Sequence, residues 1–335
     1  MGKVLGWIEM REKILKDLYE NKNQYISGEE LSRKYQVSRT AIWKHINNLK
    51  LQGYIIETMK HRGYRLIDRC KKIIPEIVRG ELKTHEIGKN IIYLDTIDST
   101  NTYGKKIAKE TSHGSVVLSE EQTLGRGRLG RGWISPVGEG VFISIVLKPD
   151  IPLTEGMKMT QIAAAATCKA IRDLTGLEAL IKWPNDIVVN GKKVCGILTE
   201  MAGELNRIDY LVVGIGVNTN NEKFPDKLAG IATSLRIEKG REIDRKTLIV
   251  KILENFECFY EDYIKSKELV RTLAVIRSYS AILGKNVFIL KGDRKIKALA
   301  LEINDDGLLG VRYENGEEEM LLSGEVSIRG EKGYI

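Results

Sequence analysis

Near its start the chain sets apolar residues at helical spacing, with Ile14, Leu15 and Leu18 on one stripe of residues 8–20. Ser27-Gly-Glu-Glu30 follows as a capping box, with Ser27 at the N-cap and Glu30 at N3, and predicts a helix to about Tyr35. Gln36 and Val37 make a tight turn. Ser38 then caps a second helix carrying Ile42, Ile46 and Leu49, which Gln52-Gly53 stops. Tyr54-Ile55-Ile56-Glu57 and Gly63-Tyr64-Arg65-Leu66 read as a hairpin with Lys60, His61 and Arg62 at its tip. Two short helices joined by a small turn and followed by a hairpin predict a winged helix-turn-helix; a three-helix protein-interaction module is the alternative.

From Ile91 onward strands and helices alternate. Ile91–Leu94, Ser115–Ser119 and Phe142–Leu147 read as buried strands, and Asp98-Ser99-Thr100-Asn101 supplies cap residues for a helix to about Glu110. A long helix is expected from about Thr154 to Leu174, its run Ala163–Ala166 suited to close packing on a sheet. Asn190-Gly191 marks a hairpin between strands at 187–189 and 194–201, and a further strand runs from Tyr210 to Val217. Hairpin-joined strands interrupted by helices predict a mixed α+β sheet. Gly214 and Gly216 are half of a dinucleotide fingerprint, but the third glycine and the following helix are missing, which excludes a Rossmann fold. An amphipathic helix over 244–264 carries Leu248, Ile252, Phe256 and Tyr260. Beyond Arg277, short strands at 286–290, 296–303, 308–313 and 319–322 are separated by turns at Lys291-Gly292-Asp293, Asp305-Asp306-Gly307 and Glu314-Asn315-Gly316 and suggest a small barrel.

Charge adds a functional asymmetry to this outline. Residues 1–72 hold 16 Lys/Arg against 8 Asp/Glu, so the whole net charge of +8 lies there and the rest of the 335-residue chain is balanced. That excess suits a phosphate backbone. Ser38, Arg39, Thr40, Trp43, Lys44, His45 and Asn47, at and after the start of the second helix, are the candidate DNA contacts, with Trp43 readable as core instead. Cys70, Cys168, Cys195 and Cys258 form no CxxC pair and the four histidines show no metal-ligand spacing, so a reducing cytoplasm without structural zinc is expected. With no long apolar run and no signal peptide, no membrane role is expected.

Between the strands ending near 119 and beginning near 142 lies Gly125-Arg126-Gly127-Arg128-Leu129-Gly130-Arg131, followed by Trp133. Glycines interleaved with arginines let backbone fold closely over a ligand while guanidinium groups meet its oxygens. The spacing is not that of a Walker loop. Arg126, Arg128, Lys182 and Lys193 all sit at turns or strand ends and could converge on one anion, neutralising charge and aligning reactants as nucleotidyl transfer requires. No nucleophile-and-base signature favours covalent catalysis.

Asp98–Asn101, Glu121-Gln122, Gly125–Trp133, Lys182–Asp186, Lys193 with Val194-Cys195-Gly196-Ile197-Leu198, and Gly214–Asn218 together resemble the bifunctional biotin protein ligases and biotin operon repressors of bacteria. The likeness spans essentially the whole chain. It implies a winged helix-turn-helix over 1–68, a mixed-sheet catalytic domain of the biotin/lipoate ligase type over 69–275 and an SH3-like β-barrel over 276–335. It further implies that biotin and ATP form biotinyl-5′-AMP, whose acyl group passes to a lysine of the biotin carboxyl carrier protein of acetyl-CoA carboxylase. Ser99, Thr100, Asn101, Gln122, Arg126, Gly127, Arg128, Lys193 and Gly196 would then meet biotin, and Trp133, Lys182, Asn185 and Asn218 the adenylate. Lys193, Arg126, Arg128 and Asp186 would act in catalysis, Lys193 between carboxylate and α-phosphate and Asp186 on the acceptor ammonium. Asp186 is otherwise simply part of a tight turn. ATP implies Mg²⁺, whose protein ligands the sequence does not identify. By the same resemblance, the adenylate promotes a homodimer that binds operator DNA of biotin genes. A biotin-sensing repressor without ligase activity and a lipoate-type ligase are the competing readings.

Overall fold

Local capping chemistry builds the first of two units, Met1–Ile77; the second is Val78–Ile335. The computed structural model describes residues 10–335 apart from 12, 19, 22, 23, 52, 53, 70, 71, 205, 206, 292, 293, 323–326 and 331–333. The helix stop expected at Gln52-Gly53, the turn residues Gly292 and Asp293, and Cys70 therefore lie outside the described residues.

In the first unit, Ser27 Oγ accepts from the Glu30 amide at 3.0 Å and starts α1 (Gly28–Tyr35), which ends at Gln36 in the left-handed region, φ 53°. Ser38 Oγ accepts from the Ala41 amide at 3.1 Å at the start of α2 (Arg39–Leu51). Each cap satisfies an amide that the first turn leaves without an intrahelical acceptor. An antiparallel hairpin follows, β1 (Tyr54–Met59) with β2 (Gly63–Arg69). Ile14, Leu18, Leu31, Ile42, Ile46, Leu49, Ile56 and Leu66 form one core beneath these elements. This is the expected winged helix-turn-helix. The helix α3 (Pro75–Glu81) carries the chain across the boundary.

The second unit is built on a seven-stranded sheet in the order β3-β4-β5-β9-β8-β7-β6. Its strands are β3 (Ile91–Ile97), β4 (Ser115–Gln122), β5 (Gly140–Leu147), β6 (Leu180–Lys182), β7 (Asp186–Val189), β8 (Lys192–Glu204) and β9 (Arg207–Asn218). Only β3 and β4 pair in parallel, so the sheet is mixed as expected. The helix α4 (Thr100–Ile107) packs on β4, β5 and β9. The helix α5 (Lys158–Thr175) begins later than the expected Thr154, because Leu153–Glu155 form a separate 3₁₀ turn. Ala163–Ala166 of α5 are fully buried, and α5 packs against α8 (Arg245–Ser266) and the sheet. The short helices α6 (Asp226–Ala229) and α7 (Leu235–Lys239) precede α8, and α9 (Val270–Ser278) follows it. Arg245, at the first position of α8, pairs with Glu120 at 3.0 Å and donates to Gly140 O at 3.0 Å, with both charged side chains at most 4% exposed. That buried pair fixes where α8 meets the sheet.

The C-terminal strands are β10 (Asn286–Lys291), β11 (Arg294–Ile303), β12 (Leu309–Tyr313), β13 (Glu318–Leu321) and β14 (Ser327–Gly330). They form an antiparallel sheet ordered β13-β12-β11-β10-β14. Among the described residues no pairing joins β13 to β14, and no closed barrel is found there. Gly307, in the turn before β12, accepts at its carbonyl from Trp183 Nε1 at 3.0 Å and Gln161 Nε2 at 2.7 Å, which ties this sheet to the central one.

Candidate functional site

Two adjoining pockets meet at the glycine and arginine loop. The smaller holds about 450 Å³ including its mouth, and its lining includes all nine residues assigned by resemblance to biotin. The larger holds about 1230 Å³ and contains Trp133, Lys182, Asn185, Asp186 and Asn218. Gly127, Arg128, Trp133, Asn185 and Lys193 line both, so they form the common wall.

The small pocket is organised by neutral hydrogen bonds at the end of α4. Ser99 Oγ accepts from the Thr102 amide at 3.5 Å and caps the helix. The next two side chains face the sheet. Gln122 Oε1 accepts from the amide and the hydroxyl of Thr100 at 2.9 and 3.1 Å, while Gln122 Nε2 donates to Ser135 Oγ at 2.9 Å. Ser144 Oγ lies within hydrogen-bond reach of both Thr100 Oγ1, at 2.8 Å, and Asn101 Oδ1, at 2.7 Å. Asn101 Nδ2 in turn donates to Leu198 O and Glu200 Oε2, both at 3.0 Å. Glu200 also takes Lys105 at 2.5 Å and lies 3.8 Å from Arg126. Burial alone would raise the Glu200 carboxyl, but bonds from Lys105 and Asn101 and the charges of Lys105 and Arg126 hold it below the usual range.

Bare backbone makes this possible. A Cβ on Gly214 would stand 2.1 Å from Asn101 Oδ1, and one on Gly216 would stand 2.6 Å from Trp133 Nε1. The two glycines that resembled half a dinucleotide fingerprint are therefore clearance for Asn101 and Trp133. Trp133 Nε1 is buried without a hydrogen-bond partner among the described residues.

The loop folds back on itself. Gly127 N donates to Arg131 O at 2.7 Å and Trp133 N to Gly125 O at 2.8 Å, and Leu129 and Gly130 turn the tip with φ of 56° and 72°. Arg128 reaches inward and donates to Asn185 Oδ1 at 2.7 Å. Burial lowers its guanidinium from the ordinary value.

Charge dominates the common wall and the larger pocket. Lys193 Nζ lies 2.5 Å from Asp186 Oδ1 and 5.3 Å from the Trp133 ring centroid. Burial pushes the Asp186 carboxyl up, yet the charge and hydrogen bond of Lys193, the Tyr334 hydroxyl and Lys182 together hold it below its ordinary value. Lys182 is 2% exposed, and burial followed by the charge of Arg329 brings its ammonium down to about 7. Asn218, which lines the larger pocket, donates from Nδ2 to Thr233 O at 3.1 Å, which holds its side-chain amide in place. Arg126 lines the smaller pocket, Lys182 the larger, and Arg128 and Lys193 both.

No group of three or more His, Cys, Asp or Glu among the described residues could hold a metal ion. The carboxylates nearest the site, Asp186 and Glu200, are already engaged by cations. An Mg²⁺ ion brought by ATP can take its ligands from phosphate and water, so it needs no such cluster.

In the first unit, Ser38, Arg39, Thr40 and Lys44 are exposed, Trp43 is 53% exposed and Asn47 is half-buried. His45 departs from the expected outer face. It is 2% exposed, because it lies three residues after Ile42 and four before Leu49 and so shares their inward stripe; burial and the nearby Arg11 charge lower its imidazole. At the wing, the guanidinium groups of Arg62 and Arg65 stand 4.9 and 4.7 Å from the Tyr25 ring.

Sequence reasoning missed Ser144, Glu200, Arg329 and Tyr334. Ser144 had a signal, since it interrupts the apolar run Val141–Leu147. The other three had none, because only the tertiary fold brings them to the pockets.

Residues 93–218 match the Biotin/lipoate A/B protein ligase family, residues 10–65 an HTH domain and residues 282–329 the Biotin protein ligase C terminal domain. The chain is 39% identical over 314 residues to the bifunctional ligase/repressor BirA of Bacillus subtilis, covering 92% of this chain and 96% of that one. Against BirA of Escherichia coli the identity is 26%, over 91% and 94% of the two chains. The biotin protein ligase of Aquifex aeolicus in complex with biotin and ATP superposes with a TM-score of 0.63 at 31% identity, over 72% of this chain and 99% of that one. No helix among the described residues is long and apolar enough to cross a membrane.

Proposed function

The chain belongs to the family of bifunctional biotin protein ligases and repressors, and on that premise we propose that its two joined pockets hold biotin and the adenylate respectively. The protein is an ATP-dependent biotin protein ligase and a DNA-binding repressor. Its first half-reaction joins the biotin carboxylate to the α-phosphorus of ATP and expels pyrophosphate. In the second, the acceptor lysine attacks the acyl carbon, an amide forms and AMP leaves.

The observation that carries the division of labour is the position of Lys193 in the wall common to both pockets. Two anions must approach there, and a fixed ammonium relieves their repulsion and stabilises the charge that develops. The neutral set of Thr100, Asn101 and Gln122 suits the uncharged ring end of biotin, whose amide groups need matched donors and acceptors. Arg126 and Arg128 cover the carboxylate, and Arg128, anchored on Asn185, keeps water from a mixed anhydride that would hydrolyse. Trp133 and Asn218 contact the adenylate, with Lys182 beside its phosphates. Asp186 orients the acceptor ammonium. Mg²⁺ enters bound to ATP.

The carrier is a biotin carboxyl carrier protein, and the exposed residues of α2 with the wing contact operator DNA as a homodimer promoted by biotinyl-5′-AMP. The C-terminal sheet is the SH3-like element of the family, supported by its five antiparallel strands. Incubation of the protein with biotin, MgATP and a carrier domain is expected to label one carrier lysine. Absence of label with a carrier that another ligase modifies overturns the assignment of the pockets.

A further inference from the structure

Tyr334 lies beyond the last strand and reaches back into the larger pocket, where it is 9% exposed. Its hydroxyl donates to Asp186 Oδ2. Its carbonyl accepts from Lys182 Nζ at 2.8 Å, and the same ammonium stands 3.4 Å from the centroid of its ring. Arg329 of β14 faces that ring at 5.1 Å. One residue thus grips both ends of the turn from Lys182 to Asp186, all five residues of which line the pocket.

The consequence is clearest at Asp186. Oδ1 is occupied by Lys193 at 2.5 Å and by Asn185 Nδ2 at 3.2 Å. Oδ2 receives only the Tyr334 hydroxyl among the bonds of the described residues, and without it the carboxylate could rotate about its last bond. A carboxylate held at both oxygens keeps a fixed free lone-pair direction, whereas one held at a single oxygen does not.

We propose that Tyr334 is a positioning residue for acyl transfer, whose hydroxyl fixes the Asp186 carboxylate in the orientation that receives the acceptor ammonium. The inference rests on the reading of Asp186 given above. In the step it serves, the ammonium gives up two of its three protons to solvent, the nitrogen bonds to the acyl carbon and keeps one hydrogen in the amide, and the bond from that carbon to the AMP oxygen breaks. Tyr334 itself neither gains nor loses a proton. The carboxylate is faced by Lys193 and Cys195 from β8, Lys182 from β6, Arg128 from the loop, and Tyr334. Loss of the tyrosine hydroxyl removes one of the donors that keep the carboxyl ionised, so the acid limb of the transfer rate moves to higher pH.

The test is single-turnover transfer from preformed biotinyl-5′-AMP to the carrier domain, followed against pH in the full-length protein and in Tyr334→Phe. Phenylalanine keeps the ring and the backbone carbonyl and removes only the hydroxyl. The expected result is transfer slowed about tenfold with the acid limb shifted upward, while biotin affinity and biotin-dependent pyrophosphate release stay near those of the unaltered protein. Unchanged transfer with an unshifted limb overturns the proposal. So does an equal loss of biotin binding, pyrophosphate release and transfer, which would mark a packing role. If the unaltered protein transfers no biotin, the ligase reading falls with it; if it transfers and Tyr334→Phe matches it, this inference falls alone.

Discussion

The inner end of the smaller pocket and the larger pocket are built on contrasting electrostatic plans, although Arg128 and Lys193 line both and Arg126 also lines the smaller. Around the smaller, Gln122, Thr100, Ser144 and Asn101 form an unbroken relay of neutral hydrogen bonds. Around the larger, cations outnumber anions: Lys182, Lys193, Arg128, Arg131 and Arg329 line it with Asp186 as the acidic member. The neutral relay orders its side chains before any ligand arrives, so selectivity comes from donors and acceptors already aimed. The charged compartment instead holds an excess of positive charge that an anionic nucleotide completes. Selectivity and reactivity are thereby separated by one wall.

The largest test of that separation removes its shared cation. Lys193→Gln is expected to slow biotin-dependent pyrophosphate release by about 100-fold or more, with biotin affinity changed much less. If both fall together in pyrophosphate assays and calorimetry, the pockets are not functionally distinct. A smaller effect is expected within the neutral relay. Ser144→Ala deletes the hydroxyl that links Thr100 to Asn101, and biotin affinity should weaken by about tenfold, while ATP affinity stays as it was. An equal loss for both ligands would mean that Ser144 supports the fold rather than the small pocket.

The mildest test uses pH. The Lys182 ammonium is brought from 10.5 in an ordinary lysine to about 7 by burial and by Arg329. In the interval between those values the unfolded chain binds more protons than the native one, so unfolding free energy rises with pH; the cost of burying the charge is full below about 7. For binding the sense is reversed, because phosphates favour the protonated amine. ATP affinity should therefore fall severalfold as pH rises through the Lys182 midpoint, with biotin affinity flat. Calorimetric titrations of each ligand between acid and alkaline buffers check this, and Lys182→Met should remove the slope.

The first unit was legible in the sequence because its determinants are local. Ser27 and Ser38 each accept from an amide three positions further on, and at the wing tip Arg62 N donates to Met59 O. Asn190-Gly191 was legible for the same reason, both residues having the positive φ that such a turn demands. His45 was misplaced by attention to its chemistry over its phase, since it falls on the inward stripe of α2. Much of the site came from motif resemblance, and the structure gathers those residues. What stayed hidden was nonlocal. Gly214 and Gly216 make sense only once β9 lies under Asn101 and Trp133, and Tyr334 is separated from Asp186 by 148 residues.

The glycine floor also limits how this enzyme could be redesigned. Gly196 on β8 pairs directly with Gly216 on β9, and Gly214 pairs with Leu198, so the floor already presents little more than main chain. A wall made of glycine cannot be trimmed. Accommodation of a bulkier acid would have to come from shortening Ile143, Ile197, Leu198 or Ile215, which line the same pocket. Substitutions on the floor itself can only make the cavity shallower, and would strike Asn101, Trp133 or Lys193 first.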